Sequence, residues 1–261
     1  MASDLVLAAR ESNCLVVRLN RPDAGNAISL EVAEALAAIV HSCAIDVSLR
    51  ALIITGAGSK FFCTGGDVKA YANVATADEL NRQFNLIREL LDAIENLHCP
   101  VIAAINGYAI GGGAELALAC DLRIIEASAQ IGFPQSRLGI LPGWDGVERL
   151  LPLVGRAAAT RLLLTGLRAS AADAHLIGLV DEVTSDGQSV VQALELVRTF
   201  GDVAPLSMAA IKSALRDAFR ADRNTARTNA REAFARLWFT EDHKEAERAF
   251  AEKRAPRFAG K

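Results

Sequence analysis

No run of apolar residues in this chain approaches the ~18 that a membrane-spanning helix needs, and the opening stretch, MASDLVLAAR, has no basic region before a long apolar core. The sequence therefore predicts neither a membrane span nor a signal peptide, and a cytoplasmic location. Cysteine is scarce and odd in number: Cys14, Cys43, Cys63, Cys99 and Cys120 sit mostly in apolar runs with no CxxC pair, which reads as free buried thiols rather than disulfides or a zinc site. Four histidines, His41, His98, His175 and His243, are scattered without metal-ligand spacing, so no metal is expected. There is no excess of positive charge; a net charge of −3 argues against nucleic acid as the main partner. Tandem repeats and low-complexity linkers are absent too. What is abundant is apolar residues, 51% of 261, ample for a large core.

The most informative stretch is NGYAIGGGAELALACD (106–121). An apolar run, VIAAI (101–105), leads through Gly111, Gly112 and Gly113 into Ala114, Glu115 and Leu116, the pattern of a strand, a tight glycine turn and a buried small-residue helix. The first amides of a helix have no internal acceptor and point outward as donors. Glu115, one helical turn after Gly112, shares its face. A glutamate there complements the helix dipole in any protein. Followed by LALAC, however, its carboxylate is expected in a semi-buried setting, where backbone donors and an acid/base in one small volume suit enolate chemistry beside a carbonyl.

The remaining chain predicts strands over 4–9 and 13–19 joined by a turn at Glu11-Ser12-Asn13. A Pro/Asp/Gly/Asn loop (21–29) then ends on Ser29, an N-cap for a helix over 30–46. A buried strand at 51–56 runs into GAGSKFFCTGGDVKAY (56–71), a turn whose amides around Gly66 offer a second donor opposite Gly112. Further on come a helix over 78–97, strands at 101–105 and 122–125, and a turn-rich loop (130–155) leading into a helix near Trp144 to Leu151. A short apolar run follows at 178–183, and from about 189, with Pro205 as a start signal, the pattern is helical. Alternating strands and helices imply an α/β fold with a mostly parallel sheet and ligand chemistry in the loops beyond the strand ends. The aromatic-spaced amphipathic tail reads as packing or subunit contact.

Five ordered motifs, LNRPDAGNAIS, FFCTGGDVKAY, CPVIAAINGYAIGGGAELALACDLRI, FPQSRLGILPGWDGVERLLPLVG and FTEDHKEAERAFAEKRAPRFAGK, resemble the crotonase family, also called the enoyl-CoA hydratase/isomerase superfamily, over nearly the whole chain. The resemblance implies a crotonase-like spiral of repeated ββα units. It places a CoA-thioester-binding core at 1–200 and a helical trimerisation region at 201–261, giving a homotrimer or a dimer of trimers. Coenzyme A would enter as part of the substrate, with no separate cofactor. It puts the oxyanion-hole amides at Gly66 and Gly112. The CoA-lining and substrate-lining positions would be Ala24, Asp67, Val68, Lys69, Gly111, Pro134, Gln135, Leu138 and Trp144, with Phe250 and Lys253 over the nucleotide; taken by itself, Lys253 reads first as a residue on a solvated helix face.

Catalysis is where this sequence departs from the family. Its hydratases carry two glutamates, one in GGGxE and one in PExxLG; Glu115 matches the first, and Gln135 stands at the second. A glutamine amide orients water but exchanges no proton at neutral pH. Asp145 is a candidate stand-in acid, although the aspartate of some family isomerases and dehalogenases aligns at Gly143, and Asp145 reads also as a helix cap or first-turn acid. Trp144 replaces a small residue and either narrows the acyl pocket or packs on the sheet edge. The resemblance thus implies a hydratase adding water to a 2-enoyl-CoA. Two alternatives stay open: isomerisation or decarboxylation of an acyl-CoA, and a CoA-thioester-binding protein without turnover.

Overall fold

The N-terminal strands β1 (Val6–Glu11) and β2 (Cys14–Leu19) pair antiparallel across a tight turn in which Ser12 takes φ 56. The structure is a computed structural model, and it describes residues 4–67, 76–221 and 223–261. Ser29 caps α1 (Leu30–Ile45), its side chain accepting from Val32 N at 3.4 Å.

From here a pattern recurs. A strand in one sheet is followed by a short strand in a second sheet and then by a helix: β3 (Ala51–Gly56), β4 (Phe61–Cys63) and α2 (Ala77–Glu95); then β5 (Val101–Ile105), β6 (Tyr108–Ile110) and α3 (Gly112–Leu118). The third round is β7 (Leu122–Glu126), β8 (Gln130–Gly132), a 3-10 turn over Pro134–Leu138 and α4 (Gly146–Thr165), which breaks at Gly155 (φ 70, ψ 169). After β9 (Arg168–Ser170), α5 (Ala171–Leu176) and β10 (Glu182–Thr184), the chain is helical: α6 (Ser189–Thr199), α7 (Pro205–Arg220), α8 (Arg223–Trp238) and α9 (Glu241–Glu252).

The large sheet runs β1-β2-β3-β5-β7-β10, parallel except for the first pair, and the small one β4-β6-β8-β9, parallel except for the last. Both faces of the large sheet are covered. Val17, Leu52, Ile54 and Ala103 pack with α1 and α2 residues such as Leu36, Leu91 and Ile94, while Val16, Ile53, Ile102 and Ala104 pack under α6 through Ala193. That double burial is why ALIITG and VIAAI are continuous apolar runs rather than alternating ones.

The boundaries differ from the sequence reading where strands are short. The loop at 56–71 contains β4, the glycine motif begins on β6, and the loop at 130–155 contains β8; the run at 178–183 becomes strand only at its end. Three-residue strands have too few side chains to show a period. Among the described residues no helix is long and apolar enough to cross a membrane. Helices α7 to α9 leave Phe219, Phe234, Trp238 and Phe250 exposed, as is Phe239 in the turn between α8 and α9.

Candidate active site

The two glycine turns meet. Gly65, at φ 97, holds a left-handed backbone that glycine adopts without strain, and a Cβ built there would stand 2.8 Å from Gly112 N. This backs the Gly65–Gly66 segment against the start of α3. The next residue pairs with Ile28 in a parallel bridge: Ile28 N donates to Gly65 O (2.8 Å) and Asp67 N to Ile28 O (3.0 Å). In such a bridge the N–H of the middle residue, Gly66, faces away from Ile28. Gly112 opens α3, so its N–H has no acceptor within the helix. Two main-chain donors with no acceptor in their own elements therefore lie on neighbouring backbone.

Glu115 sits one turn into α3 and is 2% exposed. Its carboxylate is held on both oxygens: Oε1 accepts from Trp144 N (2.8 Å) and Gly146 N (3.0 Å), and Oε2 accepts from Gln135 Nε2 (3.0 Å). Burial pushes the carboxyl up to about 7, against the lowering pull of the two backbone N–H groups, the Gln135 amide and the Arg149 guanidinium. A carboxyl poised there accepts and returns protons at neutral pH.

Gln135 lies in the 3-10 turn, buried, with Nε2 3.8 Å from where a Cβ of Gly111 would stand. Its Oε1 is buried with no hydrogen-bond partner among the described residues, an acceptor aimed at nothing in the chain itself.

The comparisons with known proteins agree with this architecture. The sequence model described as Enoyl-CoA hydratase/isomerase matches residues 9–261. The chain belongs to the enoyl-CoA hydratase/isomerase family. A short-chain-enoyl-CoA hydratase of Clostridium acetobutylicum is 36% identical over 95% of both chains, and a 2,3-dehydroadipyl-CoA hydratase of Escherichia coli is 34% identical over 98% of this chain and 99% of its own. The crystal structure of an enoyl-CoA hydratase from Bacillus anthracis superposes with a TM-score of 0.94 at 34% identity, covering 98% of this chain and all of the other. The repeated strand, strand, helix rounds are thus the crotonase fold, and the chain is an enzyme of the enoyl-CoA hydratase/isomerase type.

Within this family member the sequence-predicted residues divide. Gly66, Gly111, Gly112, Glu115, Gln135 and Trp144 come together. Ala24 ends a 3-10 turn (Pro22–Ala24) that abuts the same loop, since Thr64 N donates to Gly25 O at 3.0 Å. Asp67 is held by Arg21, Nη2 to Oδ2 at 3.1 Å. Val68 and Lys69 lie outside the described residues. Pro134 opens the 3-10 turn, but Leu138 at its end is 71% exposed. On α9, Phe250 is 89% exposed, and Lys253, exposed too, terminates that helix at φ 54.

Asp145 is not brought to the carboxylate. Its left-handed backbone, φ 62, turns the neighbouring amides of Trp144 and Gly146 onto Glu115 while its own carboxylate faces Arg88 Nε at 3.8 Å. It lines a cavity of about 890 Å³, bounded by residues of α2, α4 and α7 such as Glu95, Arg149 and Met208, that Gly66, Gly112, Glu115 and Gln135 do not line. Nor does it cap α4, for its side chain makes no capping bond.

Sequence reasoning missed the groups that seat Glu115. The amides of Trp144 and Gly146 have no side-chain signature. Arg149 does have one, a lone cation in the apolar run RLLPLV: buried, it donates to Trp144 O, to Asp92 Oδ1 (2.8 Å) and to Glu95 Oε1 (2.9 Å), tying the loop to α2.

The pH behaviour follows in sign. A rate that needs Glu115 as base rises with pH through about 7. Stability runs the opposite way, because the folded state holds the proton more tightly than the unfolded chain. The contribution is full below the ordinary glutamate value of 4.5 and is lost as pH rises through about 7. A pH profile of kcat/KM checks the first and denaturant midpoints across that window the second.

Proposed function

We propose that the chain is an enoyl-CoA hydratase, adding water across the 2,3 double bond of an acyl-CoA thioester. The N–H groups of Gly66 and Gly112 bind the thioester oxygen as it gains negative charge. The Glu115 carboxylate takes a proton from water while the water oxygen bonds C3; the carboxyl so formed returns that proton to C2 of the enolate. Gln135 Oε1 accepts the hydrogen that the water keeps. Coenzyme A arrives with the substrate, its path running past Ala24 and Asp67, and the bond changes call on no further cofactor. Asp145 has no part in the chemistry. Self-association through the exposed apolar faces of α7 to α9 belongs to the same proposal, and light scattering reads its mass.

One observation carries this reading: a buried carboxylate of shifted proton affinity accepts a hydrogen bond from Gln135 Nε2, and Gln135 Oε1 is buried with no partner among the described residues. That the residue beside the Glu115 carboxylate is an amide, Gln135, which exchanges no proton, favours double-bond isomerisation as a second reading, because moving a proton between C4 and C2 needs one carboxylate and no held water. Incubation with 2-enoyl-, 3-enoyl- and alkylmalonyl-CoA thioesters, with products read by mass, separates added water, unchanged mass and lost carbon dioxide. Gln135→Glu is expected to raise hydration roughly tenfold or more by supplying a second acid/base. It would place two carboxyls where Gln135 and Glu115 now meet at 3.0 Å, so they would titrate as a coupled pair. A fall in hydration with isomerisation retained would select the second reading.

A further inference from the structure

Trp144 lies on the residue that supplies one of the two free amides. A Cβ on Gly112 would stand 2.3 Å from the indole Cζ3, 2.5 Å from Cη2 and 2.7 Å from Cε3, so the six-membered edge of the ring occupies the space beside Gly112 Cα. Trp144 is 3% exposed and its backbone is fixed on several sides. Trp144 N donates to Glu115, its carbonyl accepts from Arg149, and the preceding carbonyl, of Gly143, accepts from Arg88 Nε at 2.9 Å. Phe84 closes off movement at Gly143, where a Cβ would meet the phenyl ring at 2.6 Å. The indole is a wall rather than a swinging side chain.

A thioester oxygen held on Gly112 N–H at about 2.7–3.1 Å brings the carbonyl carbon and the α-carbon beside the same residue, and so beside this ring edge. Glu115, which must reach C2, bounds that carbon from another side. We propose that Trp144 is a specificity-determining residue that restricts the enzyme to acyl-CoA thioesters unbranched at the α-carbon. The proposal rests on the thioester reading above and deepens it. A planar 2-enoyl group presents only a C–H at C2, which fits against the flat ring. A methyl at C2 needs volume that the indole fills, and a well-packed wall gives way only at a cost.

The test compares kcat/KM for but-2-enoyl-CoA and (2E)-2-methylbut-2-enoyl-CoA. One methyl in a close-fitting pocket discriminates by roughly 10–200-fold, and the native enzyme is expected to favour the unbranched substrate within that range. Trp144→Ala is expected to narrow the ratio about tenfold, whatever its absolute rates. Trp144→Leu, which keeps an apolar filling for the loop, should fall between. Calorimetric binding of butanoyl-CoA against 2-methylpropanoyl-CoA reads the same preference without turnover. A native enzyme that accepts both equally, or a ratio unchanged in the folded variants, overturns the proposal. Preference in binding with no turnover of any enoyl-CoA would instead overturn the hydration reading and leave the wall standing.

Discussion

Replacing Glu115 with glutamine is expected to lower kcat by roughly 10²–10⁴-fold while thioester binding persists. The substitution is close to isosteric, and its geometry allows the fold to stay. Glutamine Oε1 can still accept from Trp144 N and Gly146 N, which hold the carboxylate at 2.8 and 3.0 Å. The new Nε2 would face Gln135 Nε2, so the Gln135 amide is expected to turn over and present its oxygen, the atom that now has no partner among the described residues. The site then keeps its shape and loses only the proton carrier. Turnover and calorimetric binding of a saturated thioester separate the two effects; activity unchanged in this variant would remove Glu115 from the chemistry.

Gly112→Ala is expected to cost a comparable amount for a different reason. Its backbone is not left-handed, so alanine fits the helix; what forbids it is the Trp144 ring at 2.3 Å from the new Cβ. Either the indole moves, and with it the Trp144 N–H that holds Glu115, or α3 shifts and takes the Gly112 N–H out of position. Losing one oxyanion donor typically costs about 2.7–4 kcal/mol, a loss of roughly 10²–10³ in kcat. Because the clash is specific, the double variant Gly112→Ala with Trp144→Ala should recover part of that loss. Additive losses in the double variant would mean that the indole is not the obstruction.

The readable and unreadable parts of the chain divide along a physical line. ALIITG and VIAAI announced themselves because both sheet faces are buried, and Ser29 announced the start of α1 because a side-chain cap is a local device. The GGGAE turn was legible because glycine next to a carboxylate inside an apolar run is chemically unusual. The small sheet was not, since FFC, YAI, QIG and RAS are too short to carry a period and pair only through the spiral. Two of the three partners of Glu115 were hidden for another reason. They are main-chain amides aimed by the left-handed turn at Asp145, and no residue type encodes where an N–H points. That same turn sends the Asp145 carboxylate toward Arg88, so a plausible stand-in acid in the sequence is a different kind of residue in the fold.

In the proposed reaction one carboxylate, at position 115, carries the proton while two amides hold the thioester oxygen. Mass analysis of but-2-enoyl-CoA incubated with the native enzyme in D2O tests it most directly. The expected product is heavier by one D2O, with one deuterium fixed at C2, and forms at a rate that rises with pH through about 7. Unchanged mass with no deuterium at C2, or the same product at the same rate from Glu115→Gln, would contradict it.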